Sequence, residues 1–328
     1  MKNPALLSSL SPSSTERTVV VFDSGLGGAF ILPALASVLP ESTPLVYVGD
    51  HACMPYGSRS LMELQIRLGL VFSSIRATYG EEALIVLACN TASTASDHAP
   101  WLLPCDREQA LGSRIDIMSA TIPSMAHAYI DRLKHKEASA TEAMPVALLA
   151  TPFTVEQQWF KNLFIKALLA LTPQYQHPLT WYDLPCKQLA SLIEHAAPIE
   201  SIEAVLQDYL SLLPQHALQQ QGMALLGCTH YLYPHVQQSV QTYLPCWQVW
   251  QPHAPLLKAI QLALGVAPKE PGLLMHMLED RVHWHTTLPY QASKYETIAQ
   301  HVVQLGLLKM PPMFHPLLLD SSGHSPVQ

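Results

Sequence analysis

Two cysteines in this chain sit in matching surroundings. Leu84-Ile85-Val86-Leu87-Ala88-Cys89-Asn90-Thr91 and Met223-Ala224-Leu225-Leu226-Gly227-Cys228-Thr229-His230 share one plan: an apolar run, a small residue, a cysteine, then polar neighbours. In open α/β sheets, ligands bind beyond the carboxyl ends of the strands, where side chains on the following turn are exposed. Both thiols are therefore expected to face a ligand crevice. If each belongs to its own α/β unit and the units face one another, the thiols lie on opposite sides of a shared cleft, a geometry for two-sided chemistry. The competing reading is that a strand-end cysteine is only a small buried hydrophobe. Hydroxyl and amide side chains beside both cysteines, able to bind carboxylate or amino groups, fit a crevice better than a core. Cys53, Cys105, Cys186 and Cys246 lack that setting.

Two glycine-containing turns accompany them. Asp23-Ser24-Gly25-Leu26-Gly27-Gly28 ends a first apolar strand and enters a helix whose amides could hold a carboxylate or phosphate. It is not a dinucleotide fingerprint, because Phe30 stands at the third glycine position, and no Lys-Ser/Thr follows to make a P-loop. Taken alone it reads as a tight turn with Asp23 as a helix cap. Pro55-Tyr56-Gly57 follows the second strand as a rigid turn able to present backbone N–H groups and a phenol to the same crevice, although such tripeptides are common turns. Cys228-Thr229-His230 with His235 suggests zinc, yet no second Cys/His cluster completes a ligand set, so no metal is expected. There is no GxSxG elbow, and a cysteine amidase using Cys228 and His230 stays open as a rival.

The elements that must position these groups alternate short β-branched or apolar runs with helix-periodic segments. Strands are expected at 18–22, 45–49, 83–88, 146–150 and 223–226, and helices at 29–39, 60–79, 122–136, 188–195, 199–212 and 253–264. That order is the signature of parallel α/β sheets. Segments 99–114 and 171–185, with their prolines, read as surface insertions or connections, and 311–328 as a loosely ordered tail.

With 328 residues the chain has room for two domains. Its 49% hydrophobic and 13% charged residues exclude an intrinsically disordered protein. Eighteen Lys and Arg against 25 Asp and Glu leave a net charge of −7, with no long basic run. Neither nucleic acid nor an anionic membrane is then an expected partner. Six scattered cysteines without a CxxC pair suit free thiols. The first 17 residues lack a signal-peptide core, and no apolar run is long enough for a membrane span. The expectation is a cytoplasmic protein acting on a small polar substrate.

Asp23-Ser24-Gly25-Leu26-Gly27-Gly28, Pro55-Tyr56-Gly57, Cys89-Asn90-Thr91-Ala92-Ser93 and Gly227-Cys228-Thr229-His230-Tyr231 come in the order seen in glutamate racemases, and the chain resembles a divergent member of that family from about Thr18 to Gly306. The resemblance implies two pseudo-symmetric, doubly wound α/β domains with the active site between them. The first would combine 1–115 with 231–310 and the second span 116–230. It implies exchange of L- and D-glutamate with no cofactor, supplying D-glutamate for peptidoglycan synthesis, and is compatible with a homodimer. Cys89 would deprotonate D-glutamate and Cys228 L-glutamate. Asp23 and His230 are candidate neighbours for tuning the thiols, and Glu194 would support His230. Asp23, Ser24, Pro55, Tyr56, Gly57, Cys89, Asn90, Thr91, Cys228, Thr229 and His230 would hold the substrate. The chain departs from the family at Lys187–Ser191, Phe153 and Gln251-Pro252. Those changes keep open a related substrate, such as aspartate, a hydantoin or a malonate, or a racemase-like binding protein with little turnover.

Overall fold

The computed structural model describes residues 17–97, 114–135, 144–173, 179–269, 278, 281–289 and 291–319. The segment 98–113, most of the expected insertion and Cys105 with it, and 320–328 of the expected tail lie outside the described residues.

The described residues begin with β1 (Val19–Asp23), α1 (Leu32–Val38), β2 (Leu45–Gly49), α2 (Leu61–Tyr79), β3 (Leu84–Leu87), α3 (Asn90–Asp97), β4 (Arg114–Asp116) and α4 (Ile117–His135). A second series follows: β5 (Val146–Ala150), α5 (Pro152–Glu156), α6 (Trp159–Leu171), β6 (Trp181–Pro185), α7 (Leu189–Glu194), α8 (Ile199–Leu210), α9 (Gln215–Leu218), β7 (Gly222–Gly227), α10 (Pro234–Tyr243) and β8 (Trp247–Trp250). The chain then returns through α11 (His253–Ala263), β9 (Val282–Thr286), α12 (Ala292–Gln304) and β10 (Phe314–Pro316). Among the described residues there are two sheets, one six-stranded in the order β10-β9-β2-β1-β3-β4 and one four-stranded in the order β6-β5-β7-β8. Every pairing is parallel.

β1, β5 and β7 are buried along their whole length, as strands covered on both faces must be, and for that reason they read as unbroken apolar runs. Alternate residues of β1 serve different cores. Val19 and Val21 join the large cluster shared with the second sheet, while Val20 and Phe22 pack against Leu64, Leu68, Val71, Phe72 and Ile75 of α2. That helix starts at a capping box, in which the Ser60 hydroxyl accepts from the Glu63 amide and the Glu63 carboxylate accepts from the Ser60 amide. The register aligns Asp23 with Gly49, Phe22 with Leu87 and Ala150 with Gly227. The turns carrying Asp23, Cys89 and Cys228 therefore leave the carboxyl ends of central strands.

Three features differ from the expected organisation. β8 pairs with β7, so residues up to Trp250 complete the second sheet rather than returning to the first at 231. β6 lies in a stretch read as a connection; it is an edge strand, half-exposed and ending in proline, and lacks an apolar run. Residues 314–316 of the expected tail form β10 at the edge of the first sheet, anchored by the buried Phe314 against Trp284.

Candidate active site

β1 ends in Asp23, whose carboxylate is wholly buried. Its Oδ1 accepts from the Gly25 amide at 2.9 Å, and its Oδ2 accepts from the Thr229 hydroxyl at 2.7 Å. The turn after β1 is thereby tied to the turn after β7. Burial pushes the Asp23 carboxyl up, against the opposing pull of the nearby His230 charge. Cys89, 5% exposed, follows β3 and its thiol donates to Ser24 Oγ at 3.5 Å. Burial first, and the Asp23 charge second, push the Cys89 thiol up to about 12, against the smaller effect of the Ser24 bond. It rests as a thiol.

Cys228 is set differently. Its Sγ lies 3.7 Å from Nδ1 of His230, whose Nε2 lies 2.7 Å from Oε2 of Glu194. The same Oε2 accepts from the Leu26 amide at 2.7 Å. Burial lowers the His230 pKa, but its contacts with Cys228 and Glu194 outweigh burial and hold it well above the ordinary imidazole value. Burial likewise raises the Glu194 carboxyl, yet the His230 bond and charge overcome it and hold it at about 2. The two form an imidazolium–carboxylate pair behind the Cys228 sulfur. The glycines of the first turn exist for this approach: a methyl group at Gly27 would overlap the His230 imidazole, and one at Gly25 would lie 2.5 Å from Glu194 Oε2. This is a packing role, distinct from a phosphate cradle.

Pro55-Tyr56-Gly57 is held by a buried charge cluster. The Tyr56 hydroxyl donates to Asp50 Oδ2 at 2.5 Å, Arg67 donates from Nε to Oδ2 at 2.8 Å and from Nη2 to Oδ1 at 2.5 Å, and the Thr287 hydroxyl also donates to Oδ1. The bidentate guanidinium compensates a carboxylate that has no solvent contact. Thr151, at the end of β5, reaches across to the first sheet, its Oγ1 being 3.0 Å from Thr91 Oγ1 and its side chain packed on Gly57.

Ser24, Pro55, Tyr56, Gly57, Cys89, Asn90, Thr91, Cys228, Thr229 and His230 line one cavity of about 30 Å³. Both cysteines face it, one from each sheet. Asp23 and Glu194 are not part of its lining; Asp23 braces the turns beneath it and Glu194 stands behind His230. Met54, Thr151, Ala190 and Ser191 also line it and were missed. The signal for the last two was their place in the altered Lys187–Ser191 stretch. Phe153 is buried in the cluster that holds Phe22, Tyr56 and Cys89, rather than in the cavity wall. Cys53, Cys186 and Cys246 are free thiols that do not line it. Among the described residues, no group of three or more His, Cys, Asp or Glu side chains could hold a metal ion, and no helix is long and apolar enough to cross a membrane.

A cavity walled by one cysteine-bearing βα turn from each of two parallel sheets defines the class: an α/β protein with two cysteines lining one small cavity. Known proteins of this kind resemble it in sequence and in fold. The glutamate racemase of Paracoccus denitrificans is 32% identical over 230 residues, covering 69% of this chain and 76% of that protein. The glutamate racemase of Brucella anthropi is 32% identical over 237 residues, covering 70% and 74%. A Francisella tularensis glutamate racemase structure superposes with a TM-score of 0.65 at 23% identity, covering 94% of this chain and 99% of that one. An Escherichia coli glutamate racemase structure does so with a TM-score of 0.59 at 22% identity, covering 88% and 95%. No family model matches the chain. The chain belongs to the glutamate racemase family and is an isomerase of that type.

Proposed function

We propose that the protein interconverts L- and D-glutamate by proton transfer between Cys89 and Cys228, with no cofactor, and so supplies D-glutamate for peptidoglycan synthesis in the cytoplasm. The observation that carries this reading is that both thiols, from turns on different sheets, line the same cavity. The α-proton of an amino acid is very weakly acidic, so one group must remove it while the charge developing toward the carboxylate is stabilised. Starting from L-glutamate, the Cys228 thiolate forms an S–H bond as the α C–H bond breaks. The Cys89 thiol then gives its proton to the opposite face, leaving Cys89 as the thiolate and Cys228 as the thiol. Exchange with solvent, or turnover of a D-glutamate, resets the pair.

The hydroxyls of Ser24, Thr91 and Thr229 and the Asn90 amide are the proposed substrate contacts. Asn90 Oδ1 is buried and has no hydrogen-bond partner among the described residues, which suits it to accept from the substrate ammonium. The solved relatives give the ligand class: the Francisella tularensis protein is in complex with D-glutamate and the Escherichia coli protein with L-glutamate. A cavity of about 30 Å³ holds little more than solvent, so on this reading the cavity widens as glutamate binds. On the same reading the second unit runs through β8. The test is incubation with L-glutamate in deuterated buffer. The D-isomer with deuterium at the α-carbon is expected; the absence of both, or turnover of aspartate in preference, overturns the reading.

A further inference from the structure

Glu194 has two carboxylate oxygens, and only Oε2 faces His230. Oε1 lies 3.6 Å from Nε2 of a second histidine, His51, whose side chain is 5% exposed. His51 follows the end of β2, at the head of the turn that leads to Pro55-Tyr56-Gly57. Its Nδ1 lies 3.1 Å from the Gly49 carbonyl oxygen and 3.0 Å from Thr286 Oγ1. Its Nε2 has no hydrogen-bond partner among the described residues. A buried polar atom without a partner is uncommon in a folded protein and invites a reason.

The reason lies in the proton count. The Gly49 carbonyl and the Glu194 carboxylate can only accept. A neutral imidazole carries a single N–H and serves one of them, whereas the imidazolium serves both. Gain of a second proton would close Nε2–H of His51 onto Oε1, as Nε2–H of His230 already closes onto Oε2. We propose that His51 is a positioning residue for the Cys228 side of the reaction: it braces Oε1 of Glu194, and its protonation state sets how much of that carboxylate's charge His230 receives. The proposal rests on the two-thiol reading above.

The titratable groups around His51 are Glu194 on α7, the adjacent Asp50, Asp23 at the end of β1 and His301 on α12, while Phe314 of β10 presents its ring edge-on at 5.9 Å. Burial lowers the His51 pKa, opposed first by Glu194 and then by Asp50. His51 is therefore neutral at neutral pH and takes its second proton as the solution is acidified. In that state two imidazoliums share one carboxylate. His230 becomes less able to draw the proton from Cys228, the sulfur keeps it, and Cys228 fails as a base.

The experiment is kcat/KM for glutamate across the acid and neutral range, which reports ionisations of the free enzyme. His51→Asn places an amide nitrogen near the position of Nδ1, keeps the bond to Gly49 and deletes Nε2. The acid limb is expected to move to lower pH by roughly one to two units, the effect of one charge acting across one carboxylate at an effective dielectric of about 20. His51→Gln places a donor that does not titrate near Oε1; the same downward shift is expected, with a lower plateau than in the Asn variant. It serves by the same criterion should the Asn variant not fold. A profile superimposable on wild type overturns the proposal. So does a drop that is uniform across pH, because that is the mark of a merely structural residue. Wild-type protein that fails to exchange the α-proton overturns this proposal and the two-thiol reading together; an active wild type with unshifted variants overturns this one alone.

Discussion

Replacing Glu194 with Gln keeps the shape of the side chain and removes its charge. The carboxylate accepts from His230 Nε2 and the Leu26 amide, both at 2.7 Å, in a buried site. Leaving one member of a buried charge pair unpaired costs about 3–5 kcal/mol. The fall of the Glu194 pKa from 4.5 to about 2 corresponds to ~3 kcal/mol in the same direction. These are two views of one interaction and are not to be added. Since about 1.4 kcal/mol is a factor of ten, loss of most of it from the Cys228 step lowers kcat/KM by roughly two orders of magnitude. Enantiomers have equal free energies, so kcat/KM must fall equally in both directions. The directional signature is the primary isotope effect: α-deuterated L-glutamate, whose deuteron passes to Cys228 on the two-thiol reading, should show a larger effect than in wild type, and α-deuterated D-glutamate should not. The carboxylate titrates lower in the folded chain than in the unfolded one. Its stabilisation is therefore complete above pH 4.5 and lost as pH falls toward about 2, and the Gln variant should lack that loss in acid unfolding. A folded variant with kcat/KM within a few-fold of wild type, or an isotope effect that rises with the D-substrate instead, would refute the relay.

Substituting either Cys89→Ser or Cys228→Ser should abolish racemisation with an unchanged circular dichroism spectrum, because neither change alters much buried volume; full activity in either variant removes the two-thiol scheme. Arg67→Met leaves the wholly buried Asp50 without its guanidinium, at a cost of about 3–5 kcal/mol. A clear drop in melting temperature is expected, with KM raised as the Asp50 carboxylate that anchors Tyr56 is no longer held by Arg67, and an unchanged melting temperature would show that Tyr56 and Thr287 suffice.

The parallel sheets were legible because their central strands, buried on both faces, leave apolar runs that end in polar, chemistry-bearing turns. β1, β2, β3, β5 and β7 stand where such runs predict them. β6 and β10 were not legible: edge strands keep one side in solvent, so Tyr182, Asp183, His315 and Pro316 break the pattern. The cysteines and their hydroxyl neighbours could be read from local sequence for the same reason as the central strands. Their supports could not. Glu194 lies 168 residues from Leu26, whose amide it accepts, and only the family resemblance marked it. Asp50, Arg67 and His51 carry no local signal, since a carboxylate in a turn, an arginine on a helix and a histidine beside an aspartate are commonplace until folding buries them together. The glycine-rich turn shows the same limit. Its composition suggested an anion cradle, and what requires glycine there is the approach of a histidine from another sheet.

The two halves of the site repeat one strand–cysteine plan, but they do not repeat one electrostatic environment, and a two-thiol reaction needs that difference. Inversion begins with one sulfur deprotonated and the other protonated. Two identical settings would give both thiols the same proton affinity, and a large share of molecules would hold two thiols or two thiolates. Cys89 sits beside Asp23, a negative neighbour in a dry site, and is pushed up to about 12. Cys228 sits instead against His230, kept protonated by Glu194. On the two-thiol reading, the fold favours a thiol at Cys89 and places an imidazolium against Cys228, the arrangement from which L-glutamate would be taken up. D-glutamate needs the reverse. On this reading, free enzyme must first pass its proton from Cys89 to the Cys228 side before it can use the D-isomer, and Glu194 with its bracing histidine governs how readily it does so.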